Sequence, residues 1–156
     1  MLADPNAQRD EFLSFRLAAE EYAIDILQVR EIRACEKVTQ IPESPAVVKG
    51  VINLRGFIVP IIDLRLKLGH ADGYGAGTVM IILNISDRLV GIIVDAVSDV
   101  VALLPAQIRP TPDMGTVADV GFIRGLAPLD DRMLIVVDMA LLLAGQELAL
   151  PQGTLQ

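Results

Sequence analysis

Gly50 to Leu66 reads GVINLRGFIVPIIDLRL. Two apolar runs, Val51-Ile52 and Phe57 to Ile62, flank the short polar segment Asn53-Leu54-Arg55-Gly56. Asn and Gly accept the backbone angles of a tight turn, so the stretch is read as strand, turn, strand. Val51, Ile52, Ile58, Val59, Ile61 and Ile62 are β-branched and favour a strand over a helix. Pro60 has no N–H for a ladder, which places it at a strand edge or a bulge. Asp63 follows as a cap for a short segment carrying Leu64, Leu66 and Leu68 beside Arg65 and Lys67. Arg55, at the tip of the turn, is either a solvated residue or a contact presented to a partner.

Working outward toward the N-terminus, residues 1–11 read as a flexible lead. Phe12 to Leu17 alternates as a strand, Ala18 to Glu21 is a turn, and Tyr22 to Ile26 is the hairpin partner. The segment from Val29 to Ile41 is expected to be extended or irregular, and Ala46 to Lys49 a single helical turn after Pro42 and Pro45. Toward the C-terminus, residues 69–77 (GHADGYGAG) form a glycine-rich linker. Thr78 to Ile85 and Leu89 to Ala96 make a second hairpin across Ser86-Asp87-Arg88. Pro105, Pro110 and Pro112 break the next segment into loop. Phe122-Ile123 and Met133 to Val137 are further strands, and Asp138 is the N-cap of a helix over MALLLAGQELAL. Residues 149–156 read as a second tail.

The two sides of the linker repeat one another. In FLSFRLAAEEYAIDILQVREI and MIILNISDRLVGIIVDAVSDV, Val29, Glu31 and Ile32 fall against Val97, Asp99 and Val100 at one constant offset. Gly50-Val51-Ile52 is set against Gly121-Phe122-Ile123, and Asp63 against Asp138. This implies two related β modules, about 12–69 and 78–148, each too small for a comfortable core of its own. They are expected to pack together and leave a groove. Short strands with regular turns point to small barrels.

Composition narrows the function. The chain of 156 residues is 53% hydrophobic but only 4% aromatic, so its core is aliphatic. A net charge of -7 disfavours nucleic acid, which rewards basic surfaces. The acidic start is no signal peptide, no run reaches a membrane span, and a single Cys35 fits a reducing, cytoplasmic setting. Catalysis finds little support. His70 is the one histidine, so a metal cluster or a Ser-His-Asp triad lacks partners. Cys35 has no companion that would activate it. GYGAG lacks the strand and helix that phosphate-binding loops require. Asp63 and Asp138 are better explained as caps than as an acid/base pair. A binding protein without cofactor or metal is the reading that remains.

Several strings also carry a resemblance: VKGVINLRGFIVPIIDLR, VGIIVDAVSDVV, IRPTPDM and GLAPLDDRMLIVVD, in that order. Together, over about Phe12 to Leu148, they resemble the CheW-like domain family of bacterial chemotaxis adaptors. The resemblance implies a mostly β fold of two SH3-like five-stranded β-barrels with short helices, one near the C-terminus. It implies a non-enzymatic adaptor coupling methyl-accepting chemoreceptors to the regulatory domain of the histidine kinase CheA, in arrays at the inner face of the membrane. A CheW-like scaffold of a non-flagellar pathway is the alternative, with a small-ligand-binding barrel behind it. Neither nucleic acid nor direct membrane insertion is expected. By the same resemblance, a receptor's helical hairpin tip docks on Val29, Glu31, Gly50, Arg55 and Gly56. Kinase contacts fall on Val38 and Ile41, and on the proline-rich loop carrying Arg109, Asp113 and Met114.

Overall fold

Alternating apolar residues and two-residue turns organise most of the described residues into ten strands. They are β1 (Asp10–Leu17), β2 (Glu20–Asp25), β3 (Val29–Ala34), β4 (Val48–Leu54) and β5 (Phe57–Asp63), then β6 (Val79–Ile85), β7 (Arg88–Val94), β8 (Ala96–Leu103), β9 (Ile123–Leu129) and β10 (Arg132–Val137). Two one-turn helices, α1 (Leu64–Lys67) and α2 (Met139–Leu142), follow β5 and β10. The computed structural model describes residues 9–69, 78–112 and 121–144. Residues 70–77 of the glycine-rich linker, with His70, the loop residues Asp113 and Met114, residues 1–8 and 149–156 of the tails and the end of the expected C-terminal helix lie outside the described residues. Asp10 and Glu11, read as part of the flexible lead, belong instead to β1.

The strands form two five-stranded sheets, ordered β8-β1-β2-β10-β9 and β3-β6-β7-β5-β4. Most neighbours are antiparallel; β10 with β2 and β5 with β7 are parallel. Each sheet curls around its own small core, and the edge strands of neither are joined by a ladder, so the SH3-like barrels are open. The convex faces press together over a third and larger aliphatic core. It includes Phe15, Leu17 and Ile24 from one sheet and Ile81, Leu83 and Ile92 from the other. Burying a Leu or Ile side chain contributes about 1.5–3 kcal/mol, so this shared layer makes the two sheets one cooperative unit.

The repeat is real, but its two copies do not each build a barrel. β1 and β2 pair with β8, β9 and β10, while β3, β4 and β5 pair with β6 and β7. The division at residues 70–77 into two barrel modules is therefore corrected: each sheet takes strands from both sides. The chain crosses between the sheets twice: in the 3-10 turn Ile26–Gln28, whose cap is Asp25 accepting from the Leu27 N–H at 2.9 Å, and at Asp95 between β7 and β8. Repetition in sequence shows which strands are equivalent, not which copy each pairs with.

One further local expectation is settled and two change. The segment left between extended and irregular is extended over Val29–Ala34, an edge strand with a register shift before Glu31. Ala46 lies in a turn closed by the Val48 N–H on the Pro45 carbonyl at 2.9 Å, and β4 begins at Val48 without a helical turn. Pro60 stands inside a central strand, opposite Val51. Val51 turns its own N–H and C=O away to Thr39, at 2.8 and 2.9 Å. The Val51–Pro60 pair thus exchanges no ladder bonds, and on the other side the pairing of β5 with β7 begins only at Ile61, so Pro60 has no ladder bond to forfeit.

The capping aspartates behave as read. The Asp63 carboxylate is fully buried and accepts from the backbone N–H groups of Arg65 (3.0 Å) and Leu66 (3.4 Å), and Asp138 accepts from Leu141 at 3.1 Å. Their own N–H groups reach equivalent carbonyls, Val47 and Phe122, at 2.8 and 2.7 Å.

Candidate functional site

The β4–β5 connection is a two-residue loop made by Arg55 and Gly56, with Leu54 opposite Phe57. Both loop residues have positive φ, 51° and 92°, the backbone that matches the twist of the flanking strands. The Asn53 side chain accepts the Gly56 N–H at 2.8 Å and fixes the turn from below. The NLRG string is therefore a rigid mount for one arginine.

From that mount the Arg55 guanidinium donates to Glu31 on edge strand β3 at 2.7 Å, bridging the open seam of its sheet. Arg33 donates to the second Glu31 oxygen at 3.0 Å and to Glu36 at 2.7 Å. The hydrogen bonds from Arg55 and then Arg33 hold the Glu31 carboxyl below its ordinary value. Arg55 itself keeps 68% of its side chain exposed. Val29 is half-buried where β3 shifts register before Glu31, and it packs against the core between the sheets. The structure thus joins Glu31 to the Arg55–Gly56 turn, with Val29 two residues before Glu31 on the same strand and its side chain against the core between the sheets.

Gly50 plays a different part. It is buried, with φ at 150°, and a Cβ placed there would overlap the Thr39 carbonyl and lie 3.0 Å from Val38. Its contribution is backbone geometry under the site, not a surface. Its partner in the other sheet is Gly125, where a Cβ would overlap the Arg109 carbonyl; Gly50 pairs with Ile61 as Gly125 pairs with Val136. The alignment of Gly50 with Gly121 is corrected accordingly.

Val38 lines an open groove of about 730 Å3 with Thr39, Lys49 and Ile93, and Ile41 lines a smaller one that shares Lys49. Arg109 is exposed, and its backbone pairs with Leu126 at 2.8 Å in both directions. Cys35 also faces the first groove. Partial burial, then the charges of Glu36 and Asp63, push its thiol up, away from the thiolate a nucleophile needs.

A second polar cluster escaped the sequence reading. On the concave face of the other sheet Arg132 donates to both oxygens of Glu21 and to Asp99 at 2.9 Å. Ser14, fully buried, donates to Asp99 at 2.6 Å and receives the Asp99 N–H at 3.1 Å. Hydrogen bonding from Arg132 holds Glu21 and Asp99 below their ordinary values and raises Arg132 further. Four strands are tied by these side chains. Asp99 is the repeat partner of Glu31, and that was the one signal available beforehand.

Among the described residues no group of acids, histidine and cysteine is arranged to hold a metal, and no helix is long and apolar enough to cross a membrane. The sequence model of the CheW-like domain matches residues 11–147. The chain is 51% identical over 141 residues to the chemotaxis protein CheW of Klebsiella aerogenes, covering 90% of this chain and 85% of that protein. It is 39% identical to the probable chemotaxis protein CheW of Rhizobium etli, covering 88% and 89%. The crystal structure of the scaffolding protein TtCheW from Thermoanaerobacter tengcongensis superposes with a TM-score of 0.76 at 37% identity, covering 83% and 89%. The chain belongs to the CheW-like domain family, a family of non-enzymatic chemotaxis adaptors.

Proposed function

We propose that this adaptor joins the helical hairpin tip of a chemoreceptor to the regulatory domain of the histidine kinase CheA, within arrays at the inner face of the membrane. The receptor docks on the region of Val29, Glu31, Arg55 and Gly56, with Gly50 holding the backbone beneath. The kinase occupies two further surfaces, one around Val38 and Ile41 and one on the loop of Arg109, Asp113 and Met114. The observation that carries the reading is the Arg55–Glu31 bridge: an exposed cation held on a rigid turn, oriented from below by a carboxylate. An amphipathic helix recognises an apolar floor with a charge at its rim, and that charge fixes the register. Holding both partners in one geometry lets a small receptor displacement shift the kinase between two states.

Gel filtration with a receptor tip fragment, and separately with the kinase regulatory domain, tests this. Arg55→Glu is expected to abolish co-elution with the receptor fragment and leave the kinase complex and the melting temperature intact. Loss of both complexes with a lower melting temperature would make Arg55 a structural residue instead.

A further inference from the structure

The two sheets share one strand arrangement, and the layer at one hairpin tip separates them. Arg132 stands opposite Leu129 in its hairpin as Phe57 stands opposite Leu54 in the other. Arg132 is pinned by Glu21, Asp99 and Ser14 and caps the concave core of its sheet with a saturated polar cluster. At the equivalent layer of the other sheet the residues are Phe57, Leu89 and Ile82, with Glu31 in the place of Asp99. Phe57 continues the inward row of Val59 and Ile61, both fully buried, yet is itself 64% exposed. An inner-face aromatic thus emerges at a hairpin tip with nothing like the polar cluster to cover it.

The same two-residue turn supplies a second observation. Arg55 uses one N–H on Glu31, and among the described residues its remaining donors have no partner. A guanidinium carries five donors in a fixed fork. An exposed aromatic and an under-used guanidinium two residues apart call for a partner that offers an apolar side chain and a carboxylate side by side. One turn of an amphipathic helix provides that pair at positions three or four apart.

We propose that Phe57 is the apolar anchor of the docking site whose charged rim is Arg55, and that its occupant is an acidic amphipathic helix of the receptor tip. The proposal rests on the receptor reading above and adds to it the residue that supplies the contact energy and the carboxylate demanded of the partner. Aromatic anchors beside an arginine are the usual centres of binding energy.

The test measures binding of the receptor tip fragment to Phe57→Ala, Phe57→Leu and Arg55→Glu, with the kinase regulatory domain as control. Phe57→Ala is expected to weaken receptor binding by about tenfold or more. Phe57→Leu should recover most of it, with melting temperature and kinase binding unmoved. Full receptor affinity in Phe57→Ala, beside loss in Arg55→Glu, overturns the anchor and leaves the receptor reading standing. Unchanged affinity in both overturns the receptor reading and the anchor together. A loss confined to the kinase, or to self-association read by sedimentation, assigns Phe57 to another occupant and also overturns the proposal.

Discussion

Gly50→Ala is the perturbation whose cost can be worked most directly from the structure. The added Cβ overlaps the carbonyl of Thr39 and sits 3.0 Å from Val38. Backbone cannot yield as a side-chain tip can, so Thr39 must move. Its two hydrogen bonds with Val51, at 2.8 and 2.9 Å, are then lost or lengthened. Each is worth roughly 1 kcal/mol net. The φ of 150° adds strain of about 1–2 kcal/mol for a residue with a Cβ. The sum is about 3–4 kcal/mol against a typical domain stability of about 5–15 kcal/mol. For a chain of this size that lowers the melting temperature by roughly 6–16 °C. Urea unfolding supplies the free energy, and amide exchange at Thr39 and Val51 locates it. Gly125→Ala should follow the same path through Arg109, with less strain from φ. A Gly50→Ala protein within about 0.5 kcal/mol of the parent, the usual range of a neutral surface change, would refute the packing argument.

Other outcomes follow from the polar cluster. Arg132→Gln leaves Glu21, whose side chain is only 12% exposed, without its cation. Breaking a buried pair costs about 3–5 kcal/mol, and with 29% of Arg132 in water the expected loss is about 2 kcal/mol, readable by urea unfolding. The acid dependence has a defined sign. Glu21, Glu31 and Asp99 are all depressed in the folded state. Their contribution is complete above the unfolded values of about 4.3 for Glu and 3.9 for Asp, and disappears as pH falls through the folded values. The urea midpoint should therefore drop steeply below about pH 4, and less so in Arg132→Gln.

Much of this was legible because local chemistry and global fold agree. Turn residues with positive φ, such as Arg55, Ser86 and Asp87, sit where polar residues interrupt β-branched runs. Asp63 and Asp138 announced their helices because an aspartate before an apolar segment is a cap. Arg55 stood out from its turn and Glu31 came from the family resemblance, and the structure joins the two at 2.7 Å. What stayed hidden was relational. The exchange of strands between the repeats depends on the direction taken after Asp25 and again at Asp95, which no residue type encodes. Strand β3 alternates half-buried and exposed positions, but its Glu31 and Arg33 occupy the half-buried side because they pair with each other. A polarity pattern therefore left the segment open between extended and irregular. Pro60 was misplaced because its neighbour Val51 bonds outward to Thr39. The Arg132 cluster draws single residues from four strands, a combination invisible until the sheet is curled.

The central claim is that one chain holds two partners at once through separate surfaces. The most direct measurement is the mass of the complex formed when adaptor, receptor tip fragment and kinase regulatory domain are mixed, by sedimentation or light scattering. The account predicts a ternary species that Arg55→Glu reduces to adaptor and kinase alone. Partners that displace each other from the unmodified adaptor, so that only binary complexes ever form, would contradict it.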